Sequence, residues 1–176
     1  RDRSPSRGLG DVYKRQPSRL INNELEQKIL NKIIQPTIRG LENLGTSYKG
    51  FLYAGLMIIN NEPYLIEYNV RMGDPECQTI LPKLKSDLFD ILMSCCDKKL
   101  NEIEIDWYDK KSLSIVLCSN GYPNKYSNNV LIENIQMLDL KDGDYLYHAG
   151  TKKIENKIYS HGGRVINFVS LSSSFK

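Results

Sequence analysis

The sequence predicts an α+β fold in which an antiparallel sheet with helices is followed by a small β-rich unit. Apolar residues recur at helical spacing from Leu25 onward, and two apolar segments meet at the turn-rich connection Asn60-Asn61-Glu62-Pro63. Beyond residue 102 the texture changes to short strands separated by Asn, Gly, Asp and Pro. With 176 residues, 40% of them hydrophobic, the chain can bury a core as one domain or two small ones.

Residues 1–16, "RDRSPSRGLGDVYKRQ", have no hydrophobic period and are expected to be disordered. They resemble translated adaptor or cloning sequence, which would make them non-native; a native basic arm is the alternative. From Asn23 a helix is expected. Asn23 is placed to cap, Glu26 holds the capping-box position, and Leu25, Ile29 and Ile33 share a face. Pro36 should kink or end this helix near Gln35, with a continuation over residues 37–44 stopped by Gly45.

The segment "KGFLYAGLMIINNEPYLIEYNVR" reads as a β-hairpin. Its first strand is apolar throughout and is expected to be buried. Its second places Ile66, Tyr68 and Val70 on one face and Glu67, Asn69 and Arg71 on the other. After a Gly73-Asp74-Pro75 turn, helical spacing returns, with Ser86 as cap and Leu88, Ile91, Leu92 and Cys95 on one face. Strands are then expected in "SLSIVLCS", "YLYHAG", "KIYSHG" and "RVINFVSLS". The boundaries fall at 1–16, 17–101 and 102–176, with Trp107 and Tyr108 packing near the second.

Composition narrows the function. The 24 basic and 21 acidic residues give a net charge of +3, all of it within the first sixteen residues, so no nucleic-acid partner is expected. No run approaches the ~18 to 20 apolar residues that span a bilayer, and no signal peptide is evident, so the reading is a soluble cytoplasmic protein with no membrane partner. Cys77, Cys95, Cys96 and Cys118 lack zinc-site spacing and read as reduced thiols; His148 and His161 form no ligand cluster.

The stretch "YLIEYNVRMGDPECQ" concentrates the chemistry. Strand alternation projects Glu67, Asn69 and Arg71 together. A carboxylate and an amide offer oxygens to Mg²⁺, which is commonly held by one or two side-chain oxygens plus substrate phosphates, and a guanidinium fork suits phosphate or carboxylate. Spacing alone leaves a second reading open, that residues 67–71 are the solvent face of an amphipathic strand.

The run "RMGDPECQ", preceded by "EYN" and "YKGFLYAGLM", resembles the signature of the phosphoribosylamine-glycine ligase family, or glycinamide ribonucleotide synthetases, ATP-grasp enzymes of purine biosynthesis. "ELEQKIL", "ILPKLKSDLFDIL", "VLCSNGYP", "HAGTK" and "GGRVINFV" follow in the family's order. The resemblance implies the second half of an ATP-grasp domain followed by a β-rich carboxy-terminal domain. It also implies ligation of glycine to 5-phosphoribosylamine through an acyl phosphate, with ATP split to ADP and phosphate. Phosphorylation supplies the leaving group that a carboxylate lacks, and a metal offsets charge in the transfer.

By resemblance, Glu67 and Asn69 are ligands of Mg²⁺ or Mn²⁺, and Arg71 handles the transferred phosphoryl or acyl phosphate. Asp74, placed with Arg71 among the catalytic residues, fixes Arg71 or the loop, with a substrate contact as the alternative, while Gly73 and Pro75 shape the turn and Glu76 caps the next helix. Gly150, Thr151 and Arg164 lie in loops that could face substrate, with ordinary hairpin chemistry as the alternative. "GFLYAGLMII" carries no further carboxylate, unlike biotin-carboxylase-like relatives. The amino-terminal domain and ATP-clasping half of the family are not seen before Pro17, and both ends look truncated. The parent is expected to be a ligase, and residues 1–176 alone inactive. The alternatives are another ATP-grasp carboxylate-amine ligase or a non-catalytic nucleotide- or partner-binding module.

Overall fold

The computed structural model describes residues 13–16, 18 and 20–175, which fall into two compact units. One unit comprises Ser18–Gly73 and Leu84–Trp107. Its first helix, α1 (Asn23–Ile29), is capped by Asn22 rather than Asn23: the Asn22 side chain accepts from the Leu25 N–H at 2.8 Å. Asn22 is extended, as a cap must be, and Leu25 behind it is fully buried.

Pro36 does not end the helix. The chain widens into a π-helical segment, Leu30–Ile34, in which the Gln35 N–H reaches the Leu30 carbonyl, and continues as α2 (Gln35–Asn43). Proline removes a donor and crowds the preceding turn, and one wider turn absorbs both effects without a break. The Ile33 carbonyl is satisfied by two hydroxyls, Thr37 Oγ1 at 2.8 Å and Tyr68 Oη at 3.0 Å.

The hairpin consists of β2 (Tyr53–Ile59) and β3 (Glu62–Asn69), paired antiparallel. Its turn has two residues rather than four: Asn60 and Asn61 both take positive φ, of 51° and 60°, the left-handed geometry that matches strand twist. Pro63 is therefore a strand residue, opposite Ile58. A bulge interrupts the register, since Gly55 pairs with Glu67 while Leu56 pairs with Leu65.

The expected burial of the first strand does not hold. Leu56 and Ile58 are partly covered, whereas Met57 and Ile59 are 51% and 52% exposed. This is a two-stranded ribbon, and β3 meets the helices through Tyr68 while the opposite face is open to solvent. A further helix, α4 (Leu88–Cys96), is capped by Asp87, whose carboxylate accepts from the Phe89 N–H at 2.7 Å. Ser86, the expected cap, instead accepts from the Asp106 N–H at 2.7 Å. The Lys49 ammonium donates to the carbonyl of Cys96, tying α4 to the approach of β2.

The other unit gathers residues 13–16, 74–83 and 108–175. Its four-stranded antiparallel sheet has the order β1 (Tyr13–Gln16), β4 (Lys111–Cys118), β9 (Arg164–Ser172), β6 (Asp144–His148). A smaller sheet has the order β5 (Leu131–Ile132), β8 (Lys157–Ser160), β7 (Thr151–Ile154). The short helix α3 (Glu76–Ile80) packs on β1, β4 and β9. Val116, Val165, Ile166, Val169 and Leu171 form the buried apolar core.

Two sequence expectations change here. Tyr13–Gln16 pairs with β4, so four residues of the expected disordered tail are a strand; the rest of that segment, 1–12, lies outside the described residues. The expected boundary near residue 102 also gives way to interleaving, because residues 74–83 belong with the β-rich unit and 84–107 with the helical one. Helical spacing in 76–96 gave no hint that two short helices separate into different units. Trp107 does mark a crossing point, bridged to Leu84 and half exposed. No helix among the described residues is long and apolar enough to cross a membrane.

Candidate functional site

In the helical unit the candidate side chains gather at the carboxyl end of β3. Glu67 and Asn69 lie on one face, and Asn69 Nδ2 donates to Glu67 Oε1 at 3.0 Å. The bulge precedes Glu67, so the two-residue alternation from Glu67 to Asn69 is intact. Gly55 stands opposite Glu67, and a Cβ there would come within 3.1 Å of Glu67 Cγ, so glycine leaves the carboxylate room to lie across β2.

Arg71 departs from the expected face. The strand ends at Asn69, and Arg71 sits exposed in the following bend, donating to the Met72 carbonyl at 2.9 Å. Gly73, next along, is buried.

The donor set suits a hard cation: one carboxylate and one amide oxygen, with a rotation of the Asn69 amide turning its oxygen outward. No three His, Cys, Asp or Glu residues cluster for a metal among the described residues. Two oxygens alone fit a cation shared with a phosphorylated ligand better than a cage built by protein alone.

In the β-rich unit the centre is Asp74. Its carboxylate pairs with Arg164 Nη1 at 3.3 Å and accepts from Gln78 Nε2 at 2.9 Å, while its carbonyl accepts from Arg164 Nη1 at 2.7 Å. Asp74 thus fixes its own loop, one of the two expectations for it, and a distant arginine where the other expectation was Arg71. Pro75 holds the N-cap position of α3 and Glu76 lies in its first turn, where a carboxylate complements the helix dipole.

The loop donors are spent locally. The Gly150 N–H donates to the Arg164 carbonyl at 2.8 Å, and a Cβ at Gly150 would come within 2.6 Å of that oxygen. Thr151 Oγ1 lies 3.0 Å from His148 Nδ1, and the Thr151 N–H donates to Ala149. These are hairpin bonds, and they favour the structural alternative for both residues.

Tyr122 was missed by sequence reasoning. Its hydroxyl accepts from Arg164 Nε at 3.1 Å, across 42 residues. The only signal was its place in "NGYP". Two thiols border this region, and burial pushes both up from their ordinary value; nearby Asp74 adds to the rise at Cys77, whereas Arg164 opposes it at Cys118. Neither is an activated nucleophile.

The antiparallel ribbon that ends in this carboxylate-amide pair belongs to the ATP-grasp class, by the family match that covers it. Residues 2–77 match the family model of the phosphoribosylglycinamide synthetase ATP-grasp (A) domain, and residues 112–176 match that of the phosphoribosylglycinamide synthetase C domain. The chain belongs to the phosphoribosylglycinamide synthetase family.

It is 38% identical over 170 residues to the phosphoribosylamine–glycine ligase of Fusobacterium nucleatum, covering 96% of this chain and 39% of the relative. It is 39% identical to that of Salmonella typhimurium, covering 94% and 38%. The solved phosphoribosylamine–glycine ligase of Thermotoga maritima has the same fold, with a TM-score of 0.74 at 24% identity over 93% of this chain and 39% of that one. The chain therefore spans about two fifths of the length of the relatives it matches. The first family match begins at residue 2, inside the segment read from sequence as a non-native tail.

Proposed function

We propose that this chain supplies part of an ATP-dependent ligase that joins glycine to 5-phosphoribosylamine, giving glycinamide ribonucleotide, ADP and phosphate in the cytoplasm. The observation that carries the reading is the Glu67–Asn69 pair, 3.0 Å apart on one face at the end of β3. In this reading Glu67 and Asn69 would hold Mg²⁺ or Mn²⁺ on the ATP phosphates. Bound there, the ion would offset negative charge during phosphoryl transfer.

The residues' own roles follow from their chemistry. Glu67 and Asn69 orient the phosphates, and Arg71, on an exposed bend just beyond, has the reach and the planar fork to meet a phosphoryl or acyl phosphate oxygen. Asp74 holds the turn that follows. Positioning of this kind supplies a large share of the acceleration in phosphoryl transfer.

The test is a hybrid in which residues 18–175 replace the matching part of the Fusobacterium nucleatum ligase. Glycinamide ribonucleotide should form only when ATP, glycine, 5-phosphoribosylamine and a divalent cation are all present. Equal turnover with a different amine acceptor, or a folded hybrid without turnover, would contradict the proposal.

A further inference from the structure

We propose that Tyr122 and Arg164 are positioning residues that clamp the Asp74 turn, with Tyr122 setting the direction of the Arg164 guanidinium. The Arg164 side chain is 18% exposed and rises from the first residue of β9. Its Nη1 meets both the carboxylate and the carbonyl of Asp74, at 3.3 and 2.7 Å, so one group holds side chain and backbone of the same residue. Its Nε donates to the Tyr122 hydroxyl at 3.1 Å, and Arg164 Cζ lies 5.9 Å from the Tyr122 ring centroid. A planar fork gripped at Nε and at Nη1 can no longer rotate about its last torsions.

The aromatic side is itself built in. A Cβ on Gly163 would lie 2.3 Å from Tyr122 Cδ2, so glycine is what admits the ring beside the strand. The Tyr126 ring backs it, with centroids 6.2 Å apart. The loop is anchored to the same glycines: the Ser119 N–H donates to the Gly163 carbonyl at 2.8 Å and its hydroxyl to the Gly162 carbonyl at 2.7 Å.

On the far side, Asp74 passes the constraint to α3. Gln78 Nε2 donates to Asp74 Oδ1 at 2.9 Å, and buried Thr79 closes the first turn through its hydroxyl and its N–H, both on the Pro75 carbonyl. The clamp thus runs from Tyr122 through Arg164 to Asp74 and the start of α3. It assigns Arg164 a hold on protein, in place of the direct substrate contact that the sequence allowed. Its consequence for turnover rests on the ligase reading; its structural half does not.

Amide hydrogen exchange on the 176-residue chain tests the structural half. Tyr122→Phe keeps the ring and removes only the acceptor, and Arg164→Lys keeps the charge and removes the fork. Both should speed exchange at the Thr79 amide by about 10-fold or more, while amides of β4 and β9 keep their protection. Unchanged exchange at Thr79 in both variants overturns the clamp, as does equal acceleration in β4 and β9, which would mean general destabilisation.

In the hybrid ligase both variants should lower kcat with KM for ATP within about twofold, and lysine should not restore what arginine gives. A rise in KM for ATP without loss of kcat would overturn the positioning role and make Arg164 a binding residue. An inactive unmodified hybrid alongside the predicted exchange pattern would refute the ligase reading and uphold the clamp.

Discussion

Ser114 has no exposed surface, yet its hydroxyl finds no partner among the described residues, and Ser112 Oγ, Asn167 Oδ1 and Gln78 Oε1 of the β-rich unit are buried atoms that likewise find none there. A buried hydroxyl without a hydrogen bond opposes folding by about 1–3 kcal/mol. Ser114→Ala removes the group with almost no change of volume. Urea unfolding should show stability unchanged or raised by about 1 kcal/mol, and a loss of that size would mean that the hydroxyl is satisfied in solution.

Glu62 offers a second case, because charge there links the first residue of β3 to the helix. Hydrogen bonds from Lys28 and Lys32, at 2.8 and 2.6 Å, hold its carboxyl down at about 2 from the ordinary 4.5. Lys28 is raised from 10.5 by the reciprocal bond to Glu62. A depressed carboxyl stabilises the fold above its unfolded value, and the effect is lost as pH falls from about 4.5 through 2. Glu62→Gln should therefore unfold more readily than the parent at pH 6 in low salt, with the two converging by pH 2. Added salt should narrow the gap, since these groups are solvent-facing.

At the scale of elements, the sequence was most informative where one local rule decided the outcome. Glu67 and Asn69 share a face because two-residue alternation is a property of any strand, and the strands "SLSIVLCS" and "RVINFVSLS" became β4 and β9 for the same reason. Arg71 was misplaced because alternation does not say where a strand stops, and β3 stops at Asn69. Pro36 misled because its local penalty is real but can be absorbed by a π-helical turn, whose cost is met by hydroxyls from Thr37 and Tyr68. An apolar strand such as β2 implies burial only when both faces are covered, and a two-stranded ribbon covers one.

Long-range pairing was beyond any local pattern. Arg164 meets Asp74 across 90 residues and Tyr122 across 42, and no periodicity encodes either contact. Close-packing glycines are a partial signal. Gly150 and Gly163 look like ordinary turn residues in sequence, and only the backbone and ring that approach them show why a Cβ is excluded.

At the scale of the whole molecule, the two units divide the candidate residues. Glu67, Asn69, Arg71 and Gly73 belong to the helical unit, while Asp74, Gly150, Thr151 and Arg164 belong to the β-rich one. The A-domain and C-domain matches follow in chain order and together span most of the sequence, which places this chain in a synthetase family while it covers about two fifths of its relatives. We propose the Glu67–Asn69 pair as the metal-holding edge of an ATP site. The most direct measurement is steady-state ATP turnover by the hybrid ligase with Glu67→Gln or Asn69→Ala, at several Mg²⁺ concentrations. Metal-holding residues at these positions predict a loss of at least about 100-fold in kcat/KM for ATP, partly recovered by raising Mg²⁺. Turnover within about twofold of the parent in both variants, with unaltered Mg²⁺ dependence, would contradict it.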